Sequence, residues 1–122
     1  MGIENSVVFL PVTDIERTTR FYTEVVGLQK VQEQSGGICR IFDTGYGYLG
    51  FCQYPDERPT LGGPVGVCLS FNCQDEADVD RQYERLCLKK CEVACKPRYM
   101  ENFPVYGFFV SDPDGYKVEF QY

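Results

Sequence analysis

The chain has 122 residues, of which 43% are hydrophobic and 25% charged, a size and composition ordinary for one soluble globular domain. Histidine is absent, which excludes a Ser-His-Asp triad, a Cys-His pair, a His-Glu-x-x-His zinc site and a two-histidine-one-carboxylate iron site. The formal charge of −6 disfavours nucleic acid and anionic membranes as partners, because neutralising phosphates requires clustered Lys and Arg. It mildly favours a cationic or neutral ligand.

The first half of the chain predicts one strand, one helix and three more strands. Residues 6–12, Ser-Val-Val-Phe-Leu-Pro-Val, predict a strand. Thr13 and Glu16 form a capping-box pattern that predicts a helix start, and the helix runs to about Val26, where Gly27 stops it. The three further strands are predicted at 28–34, 38–43 and 47–54.

The second half predicts the same succession after a Pro- and Gly-rich linker. A strand is predicted at 65–72 and a helix from Asp75 to about Lys89. Residues 92–95 read as a short strand and 96–104 as a polar loop. The chain ends in a hairpin of 105–111 and 116–122, turned by Asp112-Pro113-Asp114-Gly115.

The two halves repeat each other. Asp14 and Asp75 lie 61 residues apart, and so do Tyr22 and Tyr83. Residues 47–54 match 115–122 at an offset of 68. The sequence therefore predicts an α+β fold of two βαβββ modules in a single domain, with module 1 at about 1–55, a linker at 56–64 and module 2 at about 65–122. Each helix is expected to cover one face of its own four strands.

Strand alternation predicts which side chains lie on the face that the helices leave open. We expect Val7, Phe9, Pro11, Leu49, Phe51, Gln53, Cys68, Ser70, Asn72, Lys117, Glu119 and Gln121 on that face. Large aromatic side chains are unfavourable in water, so Phe9 and Phe51 indicate either a pocket or a surface covered by a partner chain. Arg98 and Tyr99, in the loop before the last hairpin, are expected to reach over the pocket.

Seven cysteines are present, an odd number. No apolar leader precedes the first strand, so we expect reduced thiols in a cytoplasmic protein rather than a secreted disulfide scaffold. Cys87, Cys91 and Cys95 have a spacing that places them on one helix face. Buried free cysteines usually act as small hydrophobic residues, which disfavours a metal site there. No stretch has the roughly 20 apolar residues of a membrane span.

Two motifs resemble a known superfamily over essentially the whole chain. The opening combines Phe9-Leu10-Pro11-Val12-Thr13-Asp14 with Phe21-Tyr22 and Gly27-Leu28, and the closing motif runs from Phe109 to Glu119 through the Asp-Pro-Asp-Gly turn. Both are similar to the glyoxalase/bleomycin resistance protein/dioxygenase superfamily, the vicinal oxygen chelate proteins. The resemblance implies a curled eight-stranded mixed sheet with helices on the convex side, a concave ligand pocket and a homodimer.

The resemblance also implies four positions for metal ligands, which metal-using members fill mostly with His, Glu or Gln. In this sequence those positions carry Val7, Phe51, Cys68 and Glu119. Glu119 is a usual ligand and Cys68 is a possible soft-metal ligand, whereas Val7 and Phe51 have no donor atom. Two ligands fall short of the three that a catalytic zinc site normally supplies, so no metal cofactor is expected.

Three functions remain open at this point. The first is a metal-free protein that binds a small organic ligand, cationic or aromatic, through Val7, Phe9, Leu49, Phe51, Cys68, Glu119, Arg98 and Tyr99. The second is a lyase, isomerase or dioxygenase with an atypical centre of Cys68 and Glu119, or an acid/base route through Glu119 alone. The third is a non-catalytic dimerisation module.

Overall fold

In this computed structural model the chain divides into two compact units, Met1–Leu61 and Gly62–Tyr122. The structure describes residues 2–64, 66–89, 91, 93 and 95–122. Across these residues no helix has the length and apolarity that crossing a membrane demands.

The first unit is a four-stranded sheet with one helical segment. Its strands are β1 (Val7–Pro11), β2 (Gln29–Gln34), β3 (Cys39–Asp43) and β4 (Tyr48–Cys52), in the order β1-β4-β3-β2. Strand β1 runs parallel to β4, and the other neighbours are antiparallel. Helix α1 (Ile15–Arg20) continues as a π-helical segment (Phe21–Val26) and ends at Gly27, whose φ of 94° is the left-handed conformation that favours glycine.

The second unit repeats this arrangement. It contains β5 (Cys68–Asn72), helix α2 (Glu76–Leu88), β6 (Arg98–Tyr99), β7 (Tyr106–Ser111) and β8 (Lys117–Gln121). The strand order is β5-β8-β7-β6, with β5 parallel to β8. The predicted α+β class and the two βαβββ modules are confirmed, and the strands form two four-stranded sheets.

Each helical segment packs on its own sheet through aromatic rings. In the first unit Tyr22 stacks on Phe51 at a centroid distance of 4.3 Å. In the second unit Tyr83 contacts the edge of Phe108 at 5.5 Å, and Phe108 stacks on Phe120 at 5.3 Å. These rings bury the helix-facing side of each sheet. The face that a ligand can reach is therefore the one opposite the helix.

The start of α1 differs by one residue from the sequence prediction. Asp14, not Thr13, is the N-cap, because its carboxylate accepts hydrogen bonds from the backbone N–H groups of Glu16 and Arg17. Asp75 caps α2 in the same way, by accepting a hydrogen bond from the N–H of Asp78. The 61-residue spacing of the two aspartates therefore reflects two equivalent caps.

The second strand of the second unit, which lies at the edge of its sheet, falls later in the chain than predicted. The short strand β6 falls at Arg98–Tyr99, inside the predicted loop, and pairs with β7. Within the predicted strand at 92–95, Val93 forms an isolated bridge to Val110, while Glu92 and Ala94 lie outside the described residues. The sequence could not predict this strand, because two exposed residues are too few to show the alternation of apolar and polar side chains that marks a strand.

Two cysteines form a disulfide, contrary to the expectation of reduced thiols. Cys39 on β3 and Cys52 on β4 are direct partners in the antiparallel register, and their Cα atoms lie 4.1 Å apart. The prediction failed because only the strand register, and not the spacing of 13 residues, brings the two sulfur atoms together.

The run of Cys87, Cys91 and Cys95 does not line one helix face. Helix α2 ends at Leu88, so Cys91 and Cys95 lie beyond it. Burial raises the pKa of the Cys91 thiol, which disfavours the thiolate that would bind a metal.

The turn between β7 and β8 confirms its sequence prediction. The Asp112 side chain accepts hydrogen bonds from the backbone N–H groups of Asp114 and Tyr116, at 2.8 and 2.9 Å. Gly115 has a φ of 82°, a conformation that other residues rarely adopt. This turn fixes the register of β8 and therefore the position of Glu119.

Candidate functional site

The sheet face opposite α2 presents three rows of side chains, which the strand register defines. One row contains Asn72, Gln121, Gly107 and Arg98, in the order β5-β8-β7-β6. The middle row contains Ser70, Glu119 and Phe109, and the third contains Cys68, Lys117 and Ser111. Partners in register share a face of the sheet, so these side chains stand together.

An open groove of about 660 Å³ lies over these rows, within the second unit. We call it the β8 groove. Its apolar lining consists of Pro64, Met100, Phe103, Val105 and Phe109. Its polar and charged lining consists of Cys68, Ser70, Arg98, Glu101, Asn102, Lys117, Glu119 and Gln121, with Gly66 completing the wall. A cleft that combines apolar side chains with converging polar groups is a usual form of a small-molecule site.

Glu119 lies at the centre of the β8 groove and is held from one side. The Ser70 hydroxyl donates a hydrogen bond of 2.8 Å to its Oε1. On the other side its cross-strand neighbour is the Phe109 ring. Glu119 makes no ion pair with any other residue that the structure describes. A carboxylate with one fixed oxygen can offer the other to a ligand.

Lys117 and Cys68 form the next row and differ in what they can contribute. The Lys117 ammonium lies 5.8 Å from the centroid of the Phe109 ring, a weak cation–π contact. Burial raises the pKa of the Cys68 thiol, and the neighbouring Glu119 carboxylate raises it further, although Lys117 acts in the opposite direction. Cys68 is therefore a neutral thiol at neutral pH, which disfavours its roles as a soft-metal ligand or as part of an atypical catalytic centre with Glu119.

The two predicted loop residues of the site lie on opposite faces of the sheet. Arg98 lines the β8 groove, as expected. Tyr99, the next residue on β6, faces α2 instead, and its hydroxyl donates a hydrogen bond of 2.5 Å to Glu76. That bond raises the pKa of Tyr99. The expectation that Tyr99 reaches over the groove is wrong because the pair forms a strand, in which successive side chains alternate.

In the first unit the expected site residues also divide between the two faces. Val7 lines a separate, smaller pocket of about 400 Å³ together with Tyr48 and Ile41. Phe9 is 37% exposed, and its ring covers Gly50, where an added Cβ would lie only 2.5 Å from a ring carbon. These residues share the face opposite α1.

Phe51 and Leu49 lie on the helix side, so their predicted place on the open face is wrong. Phe51 has no exposed surface and packs against Tyr22. Gln53, also expected on the open face, accepts a hydrogen bond from the Ile15 N–H at the start of α1. Gly50 pairs with Phe9 in the first unit, and Glu119 pairs with Ser70 in the second. Gly50 is therefore the equivalent of Glu119, and β4 and β8 are related by an offset of 69 residues and not by the predicted 68.

The sequence reading missed Phe109, Met100 and Phe103 as lining residues of the groove. Phe109 was identifiable only through the β7–β8 register, which makes it the cross-strand neighbour of Glu119. Met100 and Phe103 belong to the segment between β6 and β7. A hydrophobic residue in a loop carries no periodic signal, so these two residues could not be identified from the sequence.

A family model described as glyoxalase/bleomycin resistance protein/dioxygenase superfamily matches residues 5–120. The chain belongs to this superfamily. None of the curated proteins matches it.

Solved structures share the superfamily fold at low sequence identity. A lactoylglutathione lyase from Agrobacterium tumefaciens is 22% identical with a TM-score of 0.74, and the match covers 99% of this chain and 93% of that one. TioX from Micromonospora sp. ML1 is 20% identical with a TM-score of 0.75, covering 97% of both chains. A glyoxalase/bleomycin resistance protein/dioxygenase from Nocardioides is 17% identical with a TM-score of 0.78, covering 99% and 83%. At these identities the likeness concerns the fold alone.

The divalent metal that many superfamily members use does not fit the donor set of this chain. Among the ligand positions, Val7 has no donor atom, and the position equivalent to Glu119 is Gly50, which has no side chain. Cys68 and Glu119 remain, with the thiol protonated. Within the described part of the chain no three His, Cys, Asp or Glu residues lie close enough to hold an ion. Two donors are too few for a catalytic metal site.

Proposed function

We propose that this protein binds a small organic ligand in the β8 groove without a metal ion. The observation that carries the proposal is the position of Glu119, a carboxylate without an ion-pair partner among the described residues, in a groove that apolar side chains partly line. Such a carboxylate favours a ligand that brings its own positive charge or hydrogen-bond donors.

The surroundings of Glu119 support an aromatic or apolar body on that ligand. Phe109 presents its ring in the same row, and Phe103 and Met100 line the same groove. An aromatic face beside a carboxylate attracts cations by two routes, through the ring quadrupole and through charge. Methionine adapts its shape to different partners, which suits a site for flexible organic molecules.

The groove favours binding over catalysis. A second titratable group opposite Glu119 would assist an acid/base reaction, but its direct neighbours in register are Ser70 and Phe109, neither of which titrates near neutral pH. Cys68, in the adjacent row, keeps its proton because burial raises its pKa. These groups orient a ligand rather than transform it.

Ligand-observed NMR on protein treated with a chelator tests the proposal. The screen uses a panel of cationic, neutral and anionic aromatic compounds, and each hit is titrated against Glu119→Gln. We expect hits without added metal and about tenfold weaker binding of cationic hits by the variant, because hydrogen bonds to charged groups contribute about 1.5–3 kcal/mol.

The matched control is Glu84→Gln on the exposed surface of α2. This substitution removes the same charge from the same unit and is expected to leave binding unchanged. Equal effects of the two substitutions would contradict a direct role of Glu119. A requirement for added divalent metal, or the absence of any hit, would contradict the proposed function.

A further inference from the structure

The β8 groove is balanced in charge although the chain is strongly acidic. Its charged lining residues are Arg98, Lys117, Glu101 and Glu119, two of each sign, whereas the chain carries a formal charge of −6. None of the four makes an ion pair within the part of the chain that the structure describes. A site for a simple cation would gain nothing from two positive side chains, because like charges repel.

Glu119 and Lys117 lie two residues apart on one strand face, about 7 Å from Cα to Cα. They are nevertheless not joined, because each interacts with a neutral partner on a different neighbouring strand. Glu119 accepts its hydrogen bond from Ser70 on β5. Lys117 extends to the ring of Phe109 on β7.

Because β5 and β7 flank β8 on opposite sides, these contacts draw the two charges apart. A ligand placed between two separated opposite charges can interact with both of them. Arg98, on the far side of β7, adds a second positive charge. The groove thus presents a negative centre at Glu119 and positive groups at Lys117 and Arg98.

We propose that the ligand of the β8 groove is a zwitterion of the amino-acid type, with an ammonium group at Glu119, a carboxylate at Lys117 and an apolar body over Phe109. The inference rests on the proposed function and extends it by naming the class of ligand. A groove of about 660 Å³ has room for a molecule larger than a single amino acid.

The test compares probes in which one charge at a time is removed by a small modification. Phenylalanine and the dipeptide phenylalanyl-phenylalanine are each compared with the methyl ester, which removes the carboxylate charge, and the N-acetyl derivative, which removes the ammonium charge. Calorimetry or NMR titration at low ionic strength gives the dissociation constants. We expect at least one zwitterion to bind about tenfold more tightly than both of its derivatives, because each modification removes a charge-assisted contact.

Substitution of Lys117 assigns the carboxylate contact. In Lys117→Met the advantage of the free carboxylate over the methyl ester is expected to disappear, while the methyl ester binds as well as before or better. Lys89→Met, at the exposed C-cap of α2, is the matched control and is expected to keep the advantage.

Two results overturn the inference without touching the proposed function. In the first, the methyl esters bind as tightly as the free zwitterions. In the second, none of the six probes binds although cationic aromatics from the screen bind in a manner that depends on Glu119. If no compound of any class binds, the proposed function fails together with the inference.

Discussion

The substitution Phe51→Ala tests whether this side chain faces the helix, as in the structure, or the open face of the sheet, as the sequence predicted. In the structure Phe51 has no exposed surface, and its ring lies 4.3 Å from that of Tyr22 and 5.8 Å from that of Phe42. Truncating a fully buried phenylalanine costs about 3–5 kcal/mol, from lost hydrophobic transfer and the remaining cavity. For a domain of this size that corresponds to a fall in melting temperature of about 15 °C.

The control is Phe9→Ala, which makes the same chemical change on the opposite sheet face. Phe9 is 37% exposed, so we expect a loss of about 1–2 kcal/mol, in line with the smaller area buried. Urea unfolding of both variants, followed by circular dichroism with the disulfide intact, gives the two free energies of unfolding. A loss below about 1 kcal/mol for Phe51→Ala, or similar losses for both variants, would refute the helix-facing position of Phe51.

Three further predictions concern the fold. Gly107→Ala lowers the free energy of unfolding by about 1–3 kcal/mol in urea, since its Cβ would lie 2.4 Å from the backbone oxygen of Phe120; an unchanged midpoint contradicts this register. Thr18→Val raises it by about 1 kcal/mol, since the buried Thr18 hydroxyl has no hydrogen-bond partner among the described residues; a loss shows that the hydroxyl is satisfied. The hydrogen bond to Asp80 raises the pKa of Tyr106 to about 12, so its stabilisation persists below pH 10 and is lost between about pH 10 and 12. Asp80→Asn shifts this ionisation to lower pH in an absorbance titration of the tyrosines, and an unaltered titration curve rules the contact out.

Much of the fold is predictable because each module repeats the same local signals. Caps, stop glycines and the Asp112–Gly115 turn are local features that depend on a few neighbouring residues. The helix-facing rings Tyr22 and Tyr83 repeat at the spacing of the caps. These signals suffice to predict the strand–helix–strand succession and the superfamily.

The candidate site is less predictable because it depends on strand register. A slip of one residue in aligning β4 with β8 exchanged the two faces of β4 and placed Phe51 where Gly50 lies. The same dependence on register hid the Cys39–Cys52 disulfide. Long-range pairing is a property of the folded sheet, and one sequence carries no local signal for it.

The placement of Glu119 on the open sheet face rests on the clearest alternation in the chain. In β8 the apolar Val118 and Phe120 are buried, and they alternate with Lys117, Glu119 and Gln121. Because Val118 and Phe120 face the helix and successive side chains of a strand alternate, the residues between them face the open side. The alternation of β8 alone therefore suffices to place Glu119, whereas the position of its neighbour Phe109 depends on the β7–β8 register.

The most direct test of ligand binding in the β8 groove is a map of amide chemical shifts. Titration of ¹⁵N-labelled, metal-free protein with the tightest compound from the screen gives the residues that respond. We predict that the largest shifts fall on β5, β7 and β8, centred on Ser70, Phe109 and Glu119. Shifts confined to residues 2–61, or responses that arise only after a divalent metal is added, would contradict the account.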